Sequence, residues 1–160
     1  MSGNWERYFE HKNTVIDGKS VNYYVYNDKG VITLPVDLPI PPTDTFRCMF
    51  SNCSYLQDIT ALSKWDVSDV TDMSWMFAVC NRLQDITALA KWDVSNVKNM
   101  RGMFSTCYQL QDITAIANWN IANVKDMQWM FCDCPKLQVT TDKTSGIKTH
   151  LRTLREHSYQ

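Results

Sequence analysis

The sequence predicts an α/β fold: a short repeat solenoid closed by an N-terminal β cap and a C-terminal helix cap. Two observations predict it. The first is a Met-Phe block that recurs every 27 residues, at Met49-Phe50, Met76-Phe77, Met103-Phe104 and Met130-Phe131. The same period carries Cys53, Cys80, Cys107 and Cys134, then Leu56, Leu83, Leu110 and Leu137, and also Trp65, Trp92 and Trp119 with Met73, Met100 and Met127. A unit of this length cannot bury its own apolar face, so successive copies must stack. The second is that the pattern stops at both ends. The expected organisation is therefore residues 1–43 as a β cap with a Pro-rich connector, 44–138 as the repeats, and 139–160 as a loop and capping helix.

In the first segment, Val21 to Tyr26 reads as a strand, Asn27-Asp28-Lys29-Gly30 as a turn and Val31 to Leu34 as a returning strand. An earlier strand around Thr14-Val15-Ile16 ends at Asp17-Gly18. Pro35, Pro39, Pro41 and Pro42 then mark an extended connector with few backbone donors. Such a cap should cover the open edge of the first coil, because an uncovered edge invites pairing with another chain.

Within a repeat, the stretch from Met100 to Leu110 places apolar residues at helical spacing, which predicts a short helix or 3₁₀ turn. Trp65-Asp66-Val67-Ser68, with its copies at Trp92 and Trp119, alternates as a pleated strand does and is expected to be the parallel strand. Leu56-Gln57-Asp58-Ile59 and its copies should form a turn or a second short strand. Beyond the repeats, Ile147, Leu151 and Leu154 recur at helical steps in a basic segment, the expected C-terminal capping helix.

A chain of 160 residues is long enough to bury roughly two-thirds of its unfolded surface in one domain. A net charge of −1 gives no electrostatic case for nucleic acid or an anionic membrane. Met1 to Ser20 contains Glu6, Glu10 and Asp17 and no apolar run of the kind a signal peptide needs. No stretch reaches the length that spans a bilayer. A cytoplasmic location is expected on this reading, with the cell surface or secretion as the alternative.

Cys53, Cys80, Cys107 and Cys134 share one column and should be free thiols pointing into the core, where Cys behaves as a small hydrophobe. Cys48 and Cys132 lie off that column. Zinc would need further ligands, and the histidines are His11, His150 and His157. No metal or cofactor is expected.

Apolar columns are core. Among polar columns, Asp58, Asp85 and Asp112 beside Gln57, Gln84 and Gln111 could face a cation or partner, but Asx side chains more often bond backbone groups at a turn. Asp66 and Asp93 give way to Asn120, and Ser68 and Ser95 to Ala122, which argues against a metal or catalytic requirement. The columns that vary are better candidates for specificity. They hold Trp75 and Trp129, Arg101, Tyr55, Arg82 and Tyr108, residue types enriched at binding hot spots. An alternative patch is a concave wall lined by Lys64, Lys91 and Asn118 with Asp66, Asp93 and Asn120. No phosphate loop, nucleophile motif or zinc-protease motif occurs, and no enzyme is expected.

The run Leu83-Gln84-Asp85-Ile86-Thr87, followed by Trp92-Asp93-Val94-Ser95-Asn96-Val97-Lys98-Asn99-Met100 and Met103-Phe104, resembles the BspA-like bacterial surface-protein repeat, a leucine-rich-repeat relative. The resemblance covers residues 44–138. It implies a right-handed, leucine-rich-repeat-like α/β solenoid used for protein–protein or host-surface contacts. The chain departs from that pattern between Ile86 and Trp92, where Ala and Lys residues lengthen the coil, and on this reading the family's usual surface anchor and signal peptide are expected to be missing. The expected function is a non-catalytic interaction module whose partner is another protein; exposed edges also allow a homodimer. The alternatives are a cytoplasmic immunity or antitoxin-like protein that blocks a toxin, and a bacterial surface or host-contact protein.

Overall fold

A computed structural model of the protein describes residues 4–137. Its regular secondary structure is sparse: a two-stranded antiparallel sheet of β1 (Phe9–Ile16) and β2 (Lys19–Tyr26), and single 3₁₀ turns at Trp5–Arg7, Thr60–Lys64, Thr87–Leu89 and Thr114–Ile116. The expected α/β fold class is therefore corrected. Among the described residues there is no α-helix and no extended parallel sheet. The anticipated capping helix lies outside the described residues.

The hairpin differs from the expected one. β1 pairs with β2 from Phe9↔Tyr26 to Ile16↔Lys19, and the chain reverses at Asp17-Gly18 rather than at Asn27 to Gly30. Asp17 and Gly18 have φ of 50° and 77°, the left-handed pair that a two-residue turn matched to strand twist requires. Val31 to Leu34 forms no strand. Leu34 N–H donates to Asp58 O at 3.0 Å, and Thr33 bridges Asp58 in parallel, so this segment serves the first repeat instead of the hairpin.

Backbone hydrogen bonds tie each repeat to the next. Cys48, Phe50 and Asn52 N–H groups donate forward to Ser74, Met76 and Ala78 carbonyls at 3.0, 2.8 and 2.8 Å. Between them Met49, Ser51 and Cys53 donate backward to Phe46, Cys48 and Phe50 within the same turn. Trp75, Phe77 and Val79 repeat this toward Arg101, Met103 and Ser105, as do Gly102, Phe104 and Thr106 toward Gln128, Met130 and Cys132. Alternation of this kind needs residues in the left-handed region, and two columns supply them. Cys48, Trp75, Gly102 and Trp129 have φ of 56° to 61°, and Asn52, Val79, Thr106 and Asp133 have φ of 56° to 64°. A left-handed residue at every fourth position breaks any helix, which is why the helical spacing of the Met-to-Leu stretch yields chained turns.

The Trp-Asp-Val-Ser strand is corrected as well. Asp66 and Asp93 Oδ1 accept from Ser68 and Ser95 N–H, both at 3.0 Å, bending the chain one residue after each tryptophan. Parallel bridges fall later, at Thr45↔Asp72, Asp72↔Asn99 and Asn99↔Asp126.

The core is a set of ladders. Phe50, Phe77, Phe104 and Phe131 stack with centroids 5.5 to 5.7 Å apart and planes within 9°. Each buried Phe contributes about 2–3 kcal/mol by leaving water, with up to about 1 kcal/mol more per ring pair. Trp65, Trp92 and Trp119 are buried, and their indole N–H groups donate to Leu38, Leu62 and Leu89 carbonyls at 2.8 to 2.9 Å. The hairpin closes one end of the ladders: Phe9 and Tyr26 pack on Phe50 at 6.2 and 5.6 Å, and Tyr26 N–H donates to Met49 O. Burial pushes the Tyr26 hydroxyl up to about 12.

Candidate functional site

Residues just before each Met-Phe block form an edge, and the left-handed column decides what stands on it. Its members are Cys48, Trp75, Gly102 and Trp129. At Gly102 the absence of a side chain is required, because a Cβ there would overlap Cε3 and Cζ3 of Trp75. Trp75 thus leans across the intervening repeat and meets Trp129 at 6.1 Å between centroids, with the planes tilted by 44°. Arg101 places its guanidinium 4.2 Å from the Trp129 centroid. Trp129 remains 43% exposed. Three expected site residues, separated in sequence by 54 positions from Trp75 to Trp129, form one cluster.

The neighbouring column supplies the polar partners. Arg101 Nη1 donates to Gln128 Oε1 at 2.7 Å and to Asp126 Oδ2 at 3.2 Å. Arg47 Nη1 donates to the buried Ser74 Oγ at 3.0 Å. Arg47, Gly102 and Asp126 were not among the expected site residues. Counting one period back from Ser74 reaches Arg47, so that residue was within reach of the sequence; the steric role of Gly102 was not.

Tyr55 and Arg82 form a separate pair, with the guanidinium 4.8 Å from the ring centroid. Tyr108 is exposed and belongs to neither group. The alternative patch has no comparable organisation: Lys64 and Lys91 are exposed and make no ion pair among the described residues.

The fixed acidic columns are turn caps. Asp58, Asp85 and Asp112 Oδ1 accept from Thr60, Thr87 and Thr114 N–H at 2.8 to 2.9 Å. These hydrogen bonds hold the carboxyls below the usual carboxylate range, as bonds from Ser68 and Ser95 do for Asp66 and Asp93. Asn120 Oδ1 makes the same bond to Ala122 N–H at 3.1 Å, so an amide replaces the acid without loss of the turn. Gln57, Asp58 and Thr60 with Asp85 line a shallow polar hollow, and the next repeat carries its equivalent.

The thiol column is committed to the core. Sγ of Cys80, Cys107 and Cys134 donates to the carbonyls of Phe50, Phe77 and Phe104 at 3.1 to 3.3 Å. Burial raises the Cys53 thiol to about 11 and pushes Cys80 and Cys107 well above the ordinary range. Among the described residues no cluster of His, Cys, Asp or Glu could hold a metal ion, and no helix is long and apolar enough to cross a membrane.

A family model described as a Mycoplasma protein of unknown function, DUF285, matches residues 44–154, well over half of the chain. The chain belongs to this family. The matched span of this DUF285 protein includes every residue of the tryptophan cluster. No curated protein and no solved structure matches the DUF285 chain.

Proposed function

We propose that this DUF285 protein is a non-catalytic protein–protein interaction module that engages its partner through the Trp75–Arg101–Trp129 edge. The observation that carries this reading is the backbone of the two tryptophans. Both stand in the left-handed region, at φ of 58° and 61°, in a column where Gly102 shows that the turn needs no side chain. A bulky residue there costs about 1–2 kcal/mol, and glycine would avoid it. Retaining indoles on a strained, half-exposed edge supports a role outside the fold. Tryptophan and arginine are also the types that dominate binding energy.

A pull-down from the native organism tests the reading, with Trp75→Ala and Trp129→Ala beside the unaltered chain. Loss of a partner with each variant supports the edge. A hot-spot indole is worth about 2 kcal/mol or more. Undiminished recovery with both would dismiss it.

The finer family reading, a BspA-like repeat at a bacterial surface or in host contact, draws support from the Trp-Asp-Val-Ser and Met-Phe blocks together with DUF285 membership. Membrane-impermeant labelling of intact cells tests it: a protected chain that becomes labelled only after lysis would place it inside the cell instead.

A further inference from the structure

One guanidinium on the edge is held in place with its outward donors unspent. Arg101 uses Nη1 for both Asp126 Oδ2 and Gln128 Oε1, and its Nε–H and Nη2 hydrogens have no partner among the described residues. The side chain is 31% exposed, and the Trp129 ring lies 4.2 Å from the guanidinium carbon. Anchoring through Nη1 leaves the Nε/Nη2 side of the plane open, a fork that matches the two oxygens of a carboxylate. Three contacts already restrict the group, so little rotamer freedom remains to be lost on binding.

Asp126 offsets part of this charge, and that decides between anions. Any anion there meets the Asp126 carboxylate with like charge, and a carboxylate monoanion meets less of that repulsion than a phosphate dianion does. Formal charges along the strip balance, Arg47 and Arg101 against Asp72 and Asp126, so selectivity rests on the directed, unspent donors of Arg101. Arg47, in the same column, is bonded to the neutral Ser74 hydroxyl and makes no ion pair among the described residues. Asp72, placed relative to Arg47 as Asp126 is to Arg101, caps Ser74 N–H at 2.8 Å, just as Asp126 caps Gln128 N–H at 2.9 Å, but makes no ion pair with Arg47.

We propose that the partner segment docked on this edge carries an Asp or Glu side chain next to an aromatic or aliphatic residue, its carboxylate taken by the Nε/Nη2 fork of Arg101 and its apolar neighbour laid on Trp129 and Trp75. The proposal rests on the reading of the Trp75–Trp129 edge as the docking surface. It specifies what that surface selects.

The test is a dense peptide array in which acidic–apolar pairs are set in Gly/Ser linkers, beside counterparts with Gln or Asn for the acid and with phosphoserine. The full chain, Arg101→Lys, Arg101→Gln and Trp129→Phe are applied in turn, each first shown to unfold in urea at the wild-type midpoint. Wild type should favour Asp or Glu peptides at least tenfold over their amide counterparts. Arg101→Gln should remove that preference, Arg101→Lys should weaken it several-fold by replacing a fork with a point charge, and Trp129→Phe should keep it. Equal capture of amide peptides, preference for phosphoserine, no capture of acidic peptides, or an unaltered preference in Arg101→Gln would each overturn the proposal. If native-partner recovery is lost in Trp129→Ala but intact in Arg101→Gln, the carboxylate assignment falls while the edge stands. Full recovery in both removes the edge itself.

Discussion

The indole of Trp75 lies across Gly102 and fills the space that any larger residue at 102 would need. Gly102→Ala meets that ring and also places a side chain at φ +60°. We expect a loss of at least about 1 kcal/mol in urea unfolding and loss of the near-ultraviolet circular dichroism from the Trp75–Trp129 pair. In a Trp75→Ala background the same change should cost less, the steric share having been removed. An equal cost in both backgrounds would show that the two residues are not coupled.

Val79 is one of two β-branched members of the other left-handed column, with Thr106, and stands at φ 63°, where Asn52 occupies the matching place at 64°. Asparagine tolerates this conformation and valine does not. Val79→Asn should therefore stabilise the chain by about 0.5–1 kcal/mol, read as a higher urea midpoint at unchanged m-value.

The phenylalanine ladder carries the interior. Phe104 is fully buried between Phe77 and Phe131, at 5.5 and 5.7 Å. Phe104→Ala should cost about 3–5 kcal/mol, enough to leave a substantial unfolded fraction in a domain of ordinary stability. A loss below about 1 kcal/mol would mean that the rings are not the main buried mass.

Acid should weaken the turns. Hydrogen bonds from Thr60, Thr87, Thr114, Ser68 and Ser95 depress the carboxyls of Asp58, Asp85, Asp112, Asp66 and Asp93. A folded-state value below the unfolded one means that the stabilisation is complete above about pH 4 and is lost as pH falls through the folded values. The urea midpoint should then hold level from pH 7 to 5 and drop toward pH 3. Asp85→Asn, which keeps an acceptor as Asn120 does, should make the drop shallower.

Thiol chemistry gives a direct count. The chain has 6 cysteines, of which Cys53, Cys80, Cys107 and Cys134 are buried, while Cys48 and Cys132 are half-buried. Ellman's reagent at pH 8 should find at most the latter two in native protein, slowly, since burial raises both. All should react in guanidinium. Fast native reaction of more than two would contradict the packed column.

Much of the interior was legible because repetition marks it. Each apolar column named by its period, from Met49 to Leu137, is buried. Turn chemistry was legible where an Asx side chain announced it, at Asp58, Asp85 and Asp112. Secondary structure was not. The Met-to-Leu stretch has helical spacing, yet left-handed Trp75, Val79, Thr106 and Trp129 are residues that no propensity scale assigns to such a conformation. Only neighbouring repeats, by taking alternate N–H groups, make that backbone favourable. The hairpin was misplaced because Val31 to Leu34 reads as a strand in isolation, and competition from Asp58 is a contact between distant segments. At the edge, residue type identified Trp75, Trp129 and Arg101, whereas the opening that lets the rings meet depends on an absent side chain at Gly102.

The forward-pointing N–H groups give the molecule a grammar of length. Every donor at Cys48, Phe50 and Asn52 finds its acceptor 26 residues onward, and so do those at Trp75, Phe77 and Val79 and at Gly102, Phe104 and Thr106. Excising or duplicating one whole period leaves every remaining donor facing a carbonyl, while any partial cut strands an entire row. Genes for such chains can therefore grow or shrink only in complete words, and the order of tryptophan and glycine along them spells out where aromatic pairs will form.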